Sequence, residues 1–306
     1  MIRLRRLKPG DRVALVAPAS SFAPEEIPAG VAELTRLGLE AVWVDGIFHK
    51  ATFEAGSVET RVDGILKAWR DPDVAALIAI RGGYGSAQLL PFLDPEELIS
   101  SRKALIGYSD ITSLLNLYLR HGLAAIHGPM IDQRLSKGPS AYDVDSFQRV
   151  LMSDEPAGEL RPPQLETLHA GTATGVIVGG TLTQLMASMG TPWAFAPPHG
   201  AVLFLEDVGE RPYRIHRMLT QAAQAGLFVN ASAIVFGEYP GCDEPGSGPA
   251  IRDVLRDFTA EFRGPVLFNF PSGHTTGPTW TLPFGVRAAV VGGPSPAVRV
   301  LEAAVE

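Results

Sequence analysis

A short apolar run, Ala104 to Ile106, stops at Gly107-Tyr108-Ser109-Asp110, and apolar positions at Ile111, Leu114, Leu115 and Tyr118 then recur with helical spacing. A serine at such a strand-to-helix turn holds its hydroxyl above the sheet edge, and the N–H groups that open the helix face whatever the hydroxyl attacks. Ser109 is therefore a candidate nucleophile for acyl transfer. The elbow is incomplete, because Ile111 stands where G-x-S-x-G has its second glycine. Taken alone, the position fits a helix N-cap better. Chemistry would further require a base, a group that orients the base, and donors for an oxyanion.

Seven histidines are available as the base. His49 and His121 lie in polar loop or helix-end surroundings, His169 in a Pro- and Gly-rich stretch, His199 after two prolines, and His216 between Arg214 and Arg217 on a helical pattern. His127, after a strand in Ile126-His127-Gly128-Pro129, and His274, in the loop Pro271-Ser272-Gly273-His274-Thr275, remain. Loops on rigid scaffolds concentrate catalytic groups, which gives His274 a small edge. The most suggestive acids are Glu206 and Asp207, where the buried run Ala201–Leu205 ends, although a cap ahead of Pro212 explains them equally well. The loop Arg81-Gly82-Gly83-Tyr84-Gly85-Ser86 lacks the spacing and the lysine of a phosphate loop. It reads either as a tight glycine turn or as a source of backbone N–H donors beside Ser109.

The elements that must carry these groups alternate. Apolar runs at Val13–Ala17, Ala41–Val44, Ala75–Ile80, Ala104–Ile106 and Ala124–Ile126 are separated by helical patterns around 27–37, 58–69, 87–90 and 111–119. Continuously apolar strands with helices between them predict a parallel sheet covered on both faces, with active groups at its carboxyl edge. This gives an α/β N-terminal domain over 1–135. Residues 136–168 change texture, with many prolines and glycines around one helix near 144–152, and predict a linker. Over 169–306, strands near 175–178, 201–205, 233–236 and 266–270 alternate with helices near 182–189, 212–225 and 251–262, followed by a β-rich finish.

Composition limits the function classes. The chain has 306 residues, enough for two domains, and 46% hydrophobic content, enough for ordinary cores. A net charge of −7 without a basic cluster argues against a nucleic-acid partner and favours small molecules or peptides. The single cysteine, Cys242, excludes an internal disulfide framework or a Cys-based zinc cluster and suits a reducing cytoplasm. Arg3, Arg5, Arg6 and Lys8 before Val13–Ala17 imitate a secretory signal, but the run is too short and is interrupted by Pro9, Gly10 and Asp11. No segment approaches the length of a membrane span, and the sequon at Asn230 is a chance match.

Several segments together resemble the LD-carboxypeptidase family of serine peptidases, to which the microcin C self-immunity peptidases also belong. They are Lys8-Pro9-Gly10-Asp11, Ala17-Pro18-Ala19-Ser20, Arg81-Gly82-Gly83-Tyr84-Gly85, Gly107-Tyr108-Ser109-Asp110-Ile111-Thr112 and His127-Gly128-Pro129. Gly179-Gly180-Thr181-Leu182, Leu205-Glu206-Asp207, Tyr213-Arg214-Ile215, Gly273-His274 and Thr281-Leu282-Pro283 continue the series across nearly the whole chain. The resemblance implies a flavodoxin-like N-terminal domain and a distinct C-terminal α/β domain, in a cytoplasmic homodimer without metal or cofactor. It implies Ser109 as nucleophile, His274 as base and Glu206 as the acid behind it, with the N–H groups of Gly83 (or Gly82) and Asp110 as oxyanion hole. The implied substrate is a murein tetrapeptide, cleaved between meso-diaminopimelate and terminal D-alanine during cell-wall recycling. Arg81, Arg211 and Arg214 are candidates for the substrate carboxylate on charge alone. His216 and Thr275–Trp280 depart from the family pattern and bear on substrate choice. Two alternatives stand beside this reading: a microcin-immunity-like peptidase acting on an aminoacyl nucleotide, and a non-catalytic small-molecule binding protein.

Overall fold

A computed structural model describes residues 1–306. The first half runs β1 (Arg12–Val16), α1 (Glu26–Arg36), β2 (Glu40–Val42), α2 (Val58–Arg70), β3 (Val74–Ala79), α3 (Pro95–Ser101), β4 (Ala104–Gly107), α4 (Thr112–Arg120), β5 (Ala125–His127) and α5 (Val144–Leu151). The second half runs β6 (Gly158–Leu160), β7 (Glu166–His169), β8 (Gly171–Thr181), α6 (Leu182–Ser188), β9 (Val202–Glu206), α7 (Pro212–Gln224), β10 (Ala233–Phe236), α8 (Ile251–Phe258), β11 (Val266–Phe268), β12 (Leu282–Phe284), β13 (Arg287–Gly292) and β14 (Ala297–Val300). No helix is long and apolar enough to cross a membrane.

The first sheet has the order β12-β5-β4-β3-β1-β2. Strands β1 to β5 are mutually parallel in the flavodoxin-like arrangement, and β12 returns antiparallel against β5. Every residue of β3 and β4 is buried, as two covered faces require. The strand order reverses between β1 and β3, so the loops Ala17–Ser20 and Arg81–Gly85 meet at the carboxyl edge, beside the β4 turn that carries Ser109.

The second sheet has the order β6-β14-β13-β8-β9-β10-β11-β7, with β8 to β11 parallel and the outer strands antiparallel. Val202, Phe204, Ala233, Val235 and Leu267 face the same apolar core as the first sheet. Leu203, Leu205, Ile234 and Phe236 face a smaller core under α6, α7 and α8. This alternation points the side chain of Glu206, after Leu205, back toward the first sheet.

Two expectations are corrected. The pattern at 87–90 forms a 3-10 segment, Ser86–Phe92, because Pro91 cannot donate to an α-helical ladder. A true helix, α3, follows it, started by Pro95 and by Asp94, whose side chain accepts from the Glu96 N–H at 2.9 Å. The expected linker supplies both edge strands of the second sheet, β6 and β7, whose short polar sequences carry little apolar signal.

The site loops are tied to this frame by Arg61, buried on α2. Its guanidinium donates to the carbonyls of Pro18 at 2.9 Å and Gly85 at 2.8 Å, and to Gln88 Oε1 at 2.5 Å. Arg61→Met removes both of these bonds, leaving the Gly85 carbonyl only the Gln88 N–H at 3.1 Å. At about 1.5–3 kcal/mol for a hydrogen bond to a charged group, a loss of about 3 kcal/mol of stability is expected in chemical denaturation, where an unchanged midpoint would contradict the tether.

Candidate active site

Ser109 has φ 62, a left-handed conformation unusual for a residue with a side chain. An N-cap residue adopts extended backbone, and its side chain accepts from the first turn. Ser109 does neither, and its hydroxyl forms no hydrogen bond within the protein. Such strain clusters at functional sites. The following Asp110 is buried, its Oδ2 accepting from the Ser86 N–H at 2.7 Å, and burial pushes its carboxyl upward. Asp110 thus fastens the Arg81–Ser86 loop against the Ser109 turn and occupies an N–H that a phosphate cradle would need.

Close approach explains the glycines of that loop. A Cβ on Gly82 would lie 2.7 Å from Ser109 Cβ and 2.9 Å from its Oγ. Gly83 has φ +102, and a Cβ there would collide with Ser20. The loop is pinned from the other side, where Ser20 N donates to the Gly82 carbonyl at 3.1 Å and Tyr84 N to Ser20 Oγ at 3.1 Å. The N–H groups of Gly82 and Gly83 donate to no protein acceptor.

Glu206, at the end of β9, is fully buried. Its Oε2 accepts from His274 Nδ1 at 2.8 Å and from the His274 backbone N–H at 3.0 Å, and its Oε1 accepts from Thr181 Oγ1. Thr181 is the register partner of Glu206 on β8. Gly273 makes the double contact possible: at φ +86, a Cβ would lie 2.7 Å from Glu206 Cδ and 2.8 Å from His127 Cε1. For Glu206, burial pushes the carboxyl up, but the charge and hydrogen bond of His274 prevail and hold it below the ordinary value. For His274, burial pulls the imidazole down, but the Glu206 charge and hydrogen bond prevail and raise it. The His274 ring meets Tyr108, the neighbour of Ser109, edge-on at 5.1 Å between centroids. Thr112 Oγ1, three residues past Ser109, accepts from Thr181 N at 3.2 Å, so both halves of the site are joined.

The other candidates separate by their surroundings. His127 is fully buried among Tyr108, Phe204 and Phe284, its Nδ1 bonded to Ser272 Oγ at 2.8 Å and its Nε2 unpartnered. Asp207 accepts from Thr183 N at 2.9 Å and so caps α6, and burial pushes it up to about 6. Arg81 pairs with Asp132 at 3.2 Å, Arg211 with Glu244 at 2.7 Å and Arg214 with Glu210 at 3.3 Å. Of these only Arg81 adjoins the Ser109 loop. Sequence reasoning missed Arg134, which donates to the carbonyls of Thr275 and Gly277 at 3.0 Å and reaches that of Gly273 at 3.5 Å, on either side of His274.

The LD-carboxypeptidase N-terminal domain model matches residues 13–128 and the LD-carboxypeptidase C-terminal domain model matches 174–290. The chain belongs to the LD-carboxypeptidase family. A murein tetrapeptide carboxypeptidase of Pseudomonas aeruginosa is 34% identical to this LD-carboxypeptidase over 92% of the chain and 93% of the relative. The crystal structure of a muramoyltetrapeptide carboxypeptidase from Oxalobacter formigenes superposes with a TM-score of 0.84 at 29% identity, covering 95% of this chain and 99% of that one. The microcin C7 self-immunity protein MccF in complex with aspartyl sulfamoyl adenosine superposes with a TM-score of 0.91 at 25% identity over both full chains.

His127 carries a prediction about acid stability. Burial pushes its imidazole down from 6.5 to about 4. Between these values the unfolded chain binds a proton that the folded chain refuses, so stability falls as pH drops, by about 3 kcal/mol over the window. His127→Asn should lose less stability than the wild type between pH 7 and pH 4.5 in thermal melts. Parallel losses would show that His127 titrates normally.

Proposed function

We propose that this LD-carboxypeptidase is a serine enzyme in which Ser109, His274 and Glu206 act together on the terminal D-alanine amide of a murein tetrapeptide. The observation that carries the reading is the buried Glu206–His274 pair beside a serine held in left-handed backbone. Nδ1–H bonded to Glu206 leaves Nε2 unprotonated and able to accept the Ser109 proton. The alkoxide attacks the carbonyl that joins the L-centre to D-alanine, and the N–H groups of Gly83 and Asp110 hold the oxyanion. Such donors are each worth on the order of 10²–10³ in turnover. His274 then gives its proton to the departing amine of D-alanine. A water, deprotonated in turn by His274, hydrolyses the seryl ester and regenerates Ser109. The absence of a Ser109–His274 hydrogen bond in the free enzyme accords with catalytic contacts that tighten when substrate binds.

The substrate follows from the relatives named as murein tetrapeptide and muramoyltetrapeptide carboxypeptidases. A nucleotide-linked substrate would call for an aromatic platform under the base. The only aromatics between Leu135 and Leu168, Tyr142 and Phe147, are buried in the core, which favours the murein reading. The same reading places the enzyme in the cytoplasm, as a homodimer, with residues 1–135 carrying the nucleophile and 169–306 the base and acid.

Incubation with purified murein tetrapeptide should release D-alanine, measured by mass spectrometry. Ser109→Ala should be slower by at least on the order of 10³-fold. Undiminished cleavage by that variant would sink the mechanism, and cleavage of an aminoacyl sulfamoyl adenosine in place of the tetrapeptide would overturn the substrate. The base must be neutral, and Glu206 raises its pKa. The acid limb of kcat/KM should therefore lie above pH 6.5, the ordinary histidine value; a limb below it would contradict the ion pair.

A further inference from the structure

We propose that Arg134 is a positioning residue that holds the His274 loop in its working geometry and offsets part of the negative charge behind the imidazole. This inference rests on the serine-peptidase reading of the site. Arg134 precedes the 3-10 segment Leu135–Ser140, on the side of the molecule that carries Ser109, while the loop it holds leaves β11 on the other side. Its Nη1 donates to the carbonyl of Gly277 at 3.0 Å and more weakly to that of Ala141 at 3.3 Å. Its Nη2 donates to the carbonyl of Thr275 at 3.0 Å and, at the limit of hydrogen bonding, to that of Gly273 at 3.5 Å. Gly273 and Thr275 are the two chain neighbours of His274. The Nε–H reaches Tyr108 Oη at 3.4 Å, so one guanidinium touches the residue before the nucleophile and the residues around the base.

Arg134, like Arg61 on α2, gathers carbonyls rather than pairing with a carboxylate. Arg81, Arg211 and Arg214 each pair with a carboxylate, whereas Arg134 has none within 4.0 Å and spends its donors on carbonyl oxygens. A planar fork meeting several carbonyls fixes a loop in a way that a lysine, with its compact charge on a flexible stem, cannot. The opposite flank is held by Glu238, whose Oε2 accepts from the Thr276 N–H and hydroxyl, both at 2.8 Å. His274 thus sits between a cationic and an anionic anchor.

The charged and titratable groups around His274 are Glu206 and Asp207 from the end of β9, His127 from β5, Tyr108 from the nucleophile turn, Arg134, and Glu238 on the Thr276 flank. Glu206 and Asp207 favour the imidazolium, and Arg134 disfavours it. A histidine protonated too firmly is a poor base near neutral pH, because the ideal catalytic pKa lies near the operating pH. Arg134 therefore serves both geometry and proton affinity, and the two can be separated by substitution.

Two variants test the assignment on the full-length enzyme. With Arg134→Met, kcat on murein tetrapeptide should fall on the order of 10²-fold, the scale of a misplaced catalytic group, with KM little changed, and the acid limb of kcat/KM should move to higher pH. Arg134→Lys keeps the charge without the fork, so it should return the limb toward its wild-type position while recovering only part of kcat. A folded Arg134→Met enzyme with wild-type kcat and an unmoved limb overturns the proposal. So does an Arg134→Lys enzyme whose limb stays with that of Arg134→Met. NMR titration of the His274 imidazole in the Met variant, read without substrate, should show the same upward shift. That shift would appear even if the tetrapeptide is the wrong substrate, and its absence would overturn the electrostatic role independently of any turnover.

Discussion

The arrangement of the site depends on a carboxylate with no access to water. Glu206 is fully buried, and an ionised carboxylate in such a place is tolerated only if its oxygens are paired and hydrogen-bonded. Three donors meet that demand: Thr181 Oγ1 and two N–H groups of His274. Each donor is a consequence of the fold. The β8–β9 register sets Thr181 opposite Glu206, and Gly273 allows the His274 backbone close enough to bond the same oxygen as its ring. Removing one member of such a pair leaves a buried charge unmatched, at about 3–5 kcal/mol. The imidazole is in this way held by the stability of the protein as well as by its use.

Ser109 reaches the same place from the other sheet. Its left-handed backbone is supported from below by Asp110 bonded to Ser86 and from above by the Gly82–Gly83 loop, itself pinned by Ser20 and Arg61. Beyond the shared apolar core, specific contacts join the two halves of the site: Thr181 with Thr112, Tyr108 with His274, His127 with Ser272, and Arg134 with the loop around His274. Strand β12 reinforces the union, because a segment from the end of the chain closes the edge of the first sheet.

Much of this was legible in the residues. Continuous apolar runs such as Ala75–Ile80 and Ala104–Ile106 mark covered parallel strands, and the turns after them marked the loops that converge. The edge strands Gly158–Leu160 and Glu166–His169 were not legible, because partly exposed strands of three and four residues carry no apolar period and are defined by their partners. His127 and His274 were nearly equal by local sequence, both following strands. Burial separates them, since one ring is enclosed by aromatics and the other is paired with Glu206. Asp110 reads as the residue after a nucleophile, and nothing local reveals that its side chain latches a loop more than twenty residues earlier. Arg134 left no signal, because its partners are carbonyl oxygens about 140 residues away, and carbonyls belong to every residue type alike.

The most direct measurement is the proton NMR spectrum of the Ser109→Ala protein at low field. A strongly deshielded, exchange-protected imidazole proton, assigned to His274 Nδ1, is expected from its 2.8 Å hydrogen bond to Glu206, and it should vanish when Glu206→Gln is added. A signal that survives the loss of the carboxylate, or a neutral His274 with its proton on Nε2 and none on Nδ1, would contradict a base oriented by Glu206.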